Sequence, residues 1–459
     1  MNTYLSSEGS RPADHRFFIG FLAILIWLPL PLASNRVWSE GLFIIAALLL
    51  AAMYGLWFIR QKAEASHVFN KTKAVLLLLA LPLVWQLYQV FALPLIDHFS
   101  QLQALFLSVA YATLFILSLQ LIDSKERIRL TATVLVASAL FQALYGSFMN
   151  LTGVEYLFFV PKDSYFGVNT GTFVNRNSQA GYLVMCCAIG IGLMISTLAS
   201  TPAKSIREHG RRWMQAILSR KIVLRLSLVM IVAGLVMTHS RMGNTSFFAS
   251  LMIISPLALI LGRFNKRVKN KGSWKGLFVL LASLVIIDIA VVGTFFGVDK
   301  VAQRLEATSV DKESRDDIVA DAAPLLGEAL YKGHGVSTFY TTFPEFRSYE
   351  SGAGFYDLAH NDYLQFVSEF GLIGFSPLLL LCMVVFYLGL ATLLRRGDRL
   401  LRGMGFGVAM AVLAMGMHAT VDFNLQMPAN AGTFMVVLAL GLIVYYFPNQ
   451  GKRKRRGLS

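Results

Sequence analysis

Charge is what this sequence has least of. Only 15% of its 459 residues are charged, against about 25% in a soluble domain, which argues against a water-exposed globular fold. Cysteine is scarcer still. Cys186, Cys187 and Cys382 all fall inside apolar stretches, so they supply neither a disulfide framework nor a zinc-ligand spacing. A Walker loop, a dinucleotide-binding glycine pattern and a nucleophile elbow are missing at any usable position. Asp316 and Asp317 are adjacent acids without other ligand-type residues at a matching spacing, so no metal site is expected. No internal repeat occurs, and the basic tail Lys452–Arg456 is the one biased tract.

What the chain has in quantity is apolar surface. Hydrophobic residues make up 56% of it and the mean hydropathy is +0.59. They come in blocks close to the roughly 20 residues that cross a bilayer as a helix. The first, Phe17–Ala33, has the length of a signal peptide, but the blocks that follow make it an anchor. Twelve spans are expected, near 17–33, 41–59, 74–91, 104–122, 130–149, 180–198, 226–238, 245–262, 277–296, 373–394, 404–421 and 429–447. The shortest, 226–238, is expected to extend into the basic segment before it. The fold class is therefore an all-α polytopic membrane protein of about twelve transmembrane helices.

Basic residues set the orientation. Of the 41 lysines and arginines, 31 fall in one alternate set of connections together with the two termini. By the positive-inside rule both termini are cytoplasmic. The net charge of +15 is then mainly a topology signal, and the tail Lys452–Arg456 reads as a membrane-flanking segment rather than a nucleic-acid contact. On the opposite, outer side two connections are long, roughly 150–179 and 297–372. The second is too long for a plain connector. It reads as a small, mostly helical periplasmic subdomain between the ninth and tenth spans, with a polar helix over 311–323 and a glycine-punctuated turn at 333–340. The chain thus divides into 1–296, 297–372 and 373–459.

Few polar groups interrupt this pattern, and those at the outer ends of the spans carry the chemistry. His360 stands where the polar segment 297–372 meets an apolar helix, beside Asp357 and Asp362. A titratable ring next to carboxylates serves as a proton acceptor, or else as a hydrogen-bonded interfacial anchor. Arg176, between Asn175 and Asn177, and Arg241, after Ser240, lie at the outer mouths of two spans. An arginine drawn to mid-membrane costs about 2.5–3.5 kcal/mol, so such positions call for a partner or a function. Two guanidinium forks at one level suit a pyrophosphate; as single residues they read equally as snorkelling side chains. His418 and Asp422, four apart on one helix face, read first as a structural pair. Arg315 and Arg347, in the long outer segment, are solvated surface residues unless a ligand meets them.

These stretches together resemble a known family. His360–Gly374 (HNDYLQFVSEFGLIG), the glycine turn with Phe339 and Pro344, Ser314-Arg315, Phe173–Asn177 (FVNRN), Ser240-Arg241 and Asp422-Phe423 are similar, along roughly 170–430, to blocks of the O-antigen ligase and polymerase superfamily of bacterial membrane glycosyltransferases. The resemblance implies a GT-C-like helical fold in the bacterial inner membrane with its active site on the periplasmic face. It implies an inverting transferase that takes a glycan from undecaprenyl pyrophosphate without metal, cofactor or nucleotide sugar. His360 would activate the acceptor hydroxyl, and Arg176 and Arg241 would hold the donor pyrophosphate. Arg315, Asn175, Asn177 and Asp362 would be further acceptor or phosphate contacts. The acceptor would be lipid A–core for a ligase or a lipid-linked repeat unit for a polymerase; some relatives glycosylate protein. The expected partners are the lipid-linked donor, one such acceptor and membrane lipids, with no nucleic acid. A transporter of lipid-linked sugar is the reading from another class, but the spans carry little charge at their centres.

Overall fold

The computed structural model describes residues 12–93, 97–197, 220–267, 319–327, 330–348 and 356–448. Among them, the only strands are Tyr156–Leu157 and Val160–Pro161, one antiparallel pair; the remaining regular structure is helical. Eleven long helices run in the order α1 (Pro12–Trp27), α2 (Val37–Arg60), α3 (Lys73–Ala92), α4 (His98–Leu121), α5 (Lys125–Thr152), α6 (Arg176–Ser196), α7 (Arg220–Met237), α8 (Arg241–Phe264), α9 (Asp362–Arg395), α10 (Arg399–His418) and α11 (Pro428–Tyr446). Nine of these, all but α1 and α7, are long and apolar enough to cross a membrane. The chain is a multi-pass membrane protein.

Eleven of the twelve expected spans thus coincide with a helix, two of them shorter than the rest. The expected span 277–296 lies outside the described residues, as do residues 297–318, 328–329 and 349–355 of the segment 297–372, with the start of its polar helix; residues 319–327 of that segment are helical. The α7 helix does reach back into the basic segment, to Arg220. The segment 150–179 carries the small hairpin, a feature too short to leave a periodic signature in the sequence.

Helix composition decides which helices are central. The apolar window of α6 is 94% buried, whereas that of α2 is 17% buried and faces outward. The more apolar helix is the outward one, because lipid accepts apolar side chains as readily as a protein core does, while the central helix is rich in glycine and other small residues. The tightest neighbour of α6 is α10, and glycine makes that approach possible. A Cβ on Gly192 would stand 2.3 Å from the Gly403 carbonyl oxygen, and one on Gly403 2.2 Å from the Gly192 oxygen. Where lipid already matches the side chains in polarity, such close backbone contact is a main source of helix association.

Candidate functional site

The site is built where α9 begins. Asn361 caps this helix, its side chain accepting from the Leu364 N–H at 3.1 Å. The adjoining turn is stapled to the α10–α11 connection. The Asp362 N–H donates to the Ala419 and Asp422 carbonyls at 2.9 and 3.1 Å. Its carboxylate accepts from the Leu425 N–H at 3.0 Å and from the Gln426 amide at 3.1 Å. His360 sits on the turn before the helix with φ +52°, a left-handed conformation costing a non-glycine residue about 1–2 kcal/mol. Such strain concentrates at functional positions. The ring packs edge-on against Phe423, centroids 4.7 Å apart. Of the two carboxylates beside His360 in sequence, Asp362 directs both oxygens to the α10–α11 connection, and Asp357 is exposed.

The two arginines occupy equivalent places on two helices. Arg176 is the first residue of α6 and Arg241 the first of α8. Asn175 caps α6, accepting from the N–H groups of Asn177 at 2.7 Å and Ser178 at 3.4 Å, while its amide donates to the Tyr165 hydroxyl at 3.2 Å. The Arg176 guanidinium lies 5.7 Å from the centroid of that same tyrosine ring. Ser240 caps α8 by accepting from the Gly243 N–H at 3.2 Å. The helix starts touch, since a Cβ on Gly243 would lie 2.5 Å from the Ala180 Cβ. A helix N-terminus carries about half a positive charge, which disfavours a cation and attracts an anion. Two such ends, each opening on an arginine, form a local positive patch, the positive pole of the site.

The α10–α11 connection, with the first turn of α11, joins both halves. Towards α6, the Asn430 amide donates to the Ser178 carbonyl at 2.9 Å and to the Asn424 side chain at 3.2 Å. Towards α9, the same connection holds Asp362 and the His360 ring. His418 and Asp422, 3.7 Å apart and buried, sit at its base, close to each other but beyond hydrogen-bond distance. His360, Arg176 and Arg241 therefore come to one end of the bundle. Asn177 is buried in the first turn of α6, and Arg347 lies against Tyr356, 5.4 Å from its ring centroid. Arg315 lies outside the described residues.

A cavity of about 490 Å³ opens beside this end, walled chiefly by α3, α4, α9 and α11. Its deep part is aliphatic, with Leu79, Leu378 and Leu438. Nearer the start of α9 it becomes polar and acidic, with Glu40, Asp357, Asp362 and Glu369. Among the described residues no lysine, arginine or histidine lines it, so the positive pole and the cavity are separate environments. The residues 331–343 close its mouth. The Phe339 N–H donates to Glu369 at 3.4 Å, and the Gln365 amide donates to the same carboxylate at 3.1 Å. Tyr340 donates a short hydrogen bond to Asp97, the cap of α4. That bond holds the Asp97 carboxyl below the ordinary range and pushes the Tyr340 phenol up.

The sequence reading missed this cavity's polar wall. Asp362, Gln365 and Glu369 recur at three and four residues, one helix face, inside the stretch already singled out for His360. Gln86, deep in α3, was a polar residue within an apolar block, a signal that ordinarily marks function.

No curated protein gives a significant match to the chain. Residues 226–379 match the family model described as O-antigen ligase. The matched segment includes Arg241, Arg315, His360 and the mouth of the cavity, while Arg176 precedes it. Through this segment, about a third of its length, the chain is similar to the O-antigen ligase family.

Proposed function

We propose that the chain is a membrane glycosyltransferase that moves a glycan from undecaprenyl pyrophosphate to an acceptor hydroxyl, lipid A–core in the ligase form of the reaction, on the periplasmic face of the inner membrane. The observation that carries this reading is the pairing of a positive pole, Arg176 and Arg241 on touching helix ends, with a strained histidine on the turn that shares their supporting connection.

In this reaction the acceptor oxygen attacks the anomeric carbon of the donor sugar as its proton passes to His360. The bond from that carbon to the phosphate oxygen breaks on the opposite face, inverting the centre. The electron pair leaves with the pyrophosphate, whose charge Arg176 and Arg241 neutralise. Pyrophosphate is a good leaving group, so orientation, proton removal and charge stabilisation are the tasks left to the protein. Arg315, Asn175 and Asn177 stand as further phosphate or acceptor contacts, and Asp362 as the brace that fixes the His360 turn.

The test is transfer from a lipid-linked donor by protein in liposomes. His360→Ala is expected to lose at least about a hundredfold in rate, the usual worth of a general base, while inserting and purifying as the parent does. A fully active His360→Ala protein would remove the histidine from this role. Deleting the gene separates the two forms of the reaction: complete lipid-linked chains accumulate if the acceptor is lipid A–core, whereas single repeats remain attached if the product is a longer lipid-linked chain.

A further inference from the structure

One polar side chain in the cavity wall has no structural task. Gln86 lies in α3, is 1% exposed and lines the cavity, and neither its amide nitrogen nor its oxygen has a hydrogen-bond partner. The next glutamine on the helix shows the ordinary alternative: the Gln89 amide donates to the carbonyls of Lys332 at 2.7 Å and Glu369 at 2.8 Å, tying α3 to the mouth. Buried amides are almost always satisfied, because an unmade hydrogen bond costs the full desolvation of the group. Pro82, one turn earlier and also in the wall, has no N–H to give the preceding turn, so hydrogen-bonding capacity on this face is left open further.

The surroundings restrict what could serve Gln86. Above it are carboxylates and amides, with Glu369 accepting from Gln365, and Glu40 accepting from Gln103 at 2.5 Å. Below it the wall is leucine. With no cation among the described lining residues, a phosphate or carboxylate would enter without a partner, beside four acidic side chains. Hydroxyl groups, which donate to carboxylates and both donate to and accept from an amide, fit this wall. An alkyl or prenyl chain fits the depth.

We propose that this cavity binds an uncharged, hydroxyl-bearing amphiphile, a neutral sugar over an apolar chain, with Gln86 as its deep polar contact. Resting on the glycan-transferase reading, the bound sugar is the acceptor, delivered to the start of α9 where His360 stands. Donor and acceptor are then sorted by charge: pyrophosphate to the arginine pole, a neutral sugar to the acidic cavity. Any phosphates that the acceptor carries stay outside the cavity.

The experiment is equilibrium binding of radiolabelled dodecyl glucoside to the full chain in phosphatidylcholine nanodiscs, with dodecyl phosphate as the charged probe of equal chain length. Saturable glucoside binding, at least about tenfold tighter than phosphate binding, is expected. Gln86→Leu is expected to weaken glucoside binding about tenfold, the loss of one or two hydrogen bonds. Its thermal stability should be equal or higher, since a leucine of similar size removes an unpaired buried amide. The cavity-filling variant Leu83→Trp should abolish binding. Equal or tighter phosphate binding, or a Gln86→Leu protein that binds glucoside as the parent does, would overturn the proposal. His360→Ala separates the two readings, because it should lose transfer and keep glucoside binding. Transfer without any glucoside binding would sink the cavity assignment alone. Gln86-dependent binding in a parent protein that makes no glycosidic bond would leave the cavity standing and remove its acceptor role.

Discussion

Gly333 and Gly371 pack backbone to backbone, and neither can carry a side chain. A Cβ on Gly333 would stand 2.6 Å from the Gly371 nitrogen, and one on Gly371 would stand 2.6 Å from the Gly333 nitrogen. Gly371 breaks α9 with φ +65° and ψ 175°, a region essentially restricted to glycine. The break releases backbone groups that the incoming segment uses: the Leu372 N–H donates to the Leu330 carbonyl, and the Gly335 N–H to that of Glu369. Trp85 adds a bond from its indole N–H to the Phe370 carbonyl at 2.7 Å. The mouth of the cavity is thus anchored in a helix fault.

Gly371→Ala should therefore be more harmful than a helix-interior glycine change usually is. Backbone strain alone is worth about 1–3 kcal/mol, and the clash with the Tyr331 carbonyl adds to it. Thermal melting of the purified protein should show a large fall in Tm, with proteolysis of residues 331–348 accelerated. An unchanged Tm would mean that the fault does not hold the mouth.

The arginines should act on the donor. Charge-assisted hydrogen bonds are worth about 1.5–3 kcal/mol each, so Arg176→Ala and Arg241→Ala should each weaken binding of a polyprenyl pyrophosphate by roughly ten- to a hundredfold. Lysine at either position should restore only part of it, because a point charge does not reproduce the bidentate fork. Transfer should persist in EDTA if the arginines alone handle the leaving group. Donor affinity that is indifferent to both alanine changes would return them to the role of interfacial anchors.

Asp362 and His360, two residues apart, should fail in different ways. Asp362→Ala removes an acceptor from the Leu425 N–H and the Gln426 amide, leaving half-buried donors unpaired at about 1 kcal/mol each. Its Tm should fall along with activity. His360→Ala should lose activity with little change in Tm, because relief of the left-handed strain is small and the ring is only half-buried. Matching Tm losses in the two variants would reduce His360 to a structural anchor.

Acidity should loosen the cavity mouth. Tyr340 hydrogen-bonds to Asp97 and lowers the carboxyl below its ordinary range. A carboxyl whose folded-state pKa is depressed contributes stability above its unfolded value, near 3.9, and loses it as pH falls through the lower folded value. The tie is complete at neutral pH and fades below about pH 4. Hydrogen exchange over residues 331–348 should rise in that window, and Tyr340→Phe should show the faster exchange already at pH 7. Exchange that is flat with pH and unaltered by Tyr340→Phe would show that this bond does not hold the segment.

The sequence carried the helical positions well, because a bilayer imposes a length and a polarity that a single chain must obey locally. It also singled out His360, Arg176 and Arg241, since a charged or titratable group at the end of an apolar block stands out against its neighbours. His418 and Asp422 were legible as a pair because four residues is one helix turn. Neither the 156–161 hairpin nor the fault at Gly371 was legible. Two-residue strands are too short to show a period, and Gly371 reads locally as any glycine in an apolar helix does.

What the sequence by itself determined is a multi-pass helical protein with polar and charged residues at the ends of particular spans. Which polar groups face one another was decided only by the tertiary structure. Gln86 and Gln89 differ by less than one helix turn, yet Gln89 is bonded across the bundle to Lys332 and Glu369 while Gln86 is left open in a cavity wall. Asp362, adjacent to the histidine turn, spends its carboxylate on Leu425 and Gln426. Such partners are separated by tens to hundreds of residues, and a local period of 3.6 holds no information about them. Packing of the helices chose them, and with them the division between a positive pole and an acidic cavity.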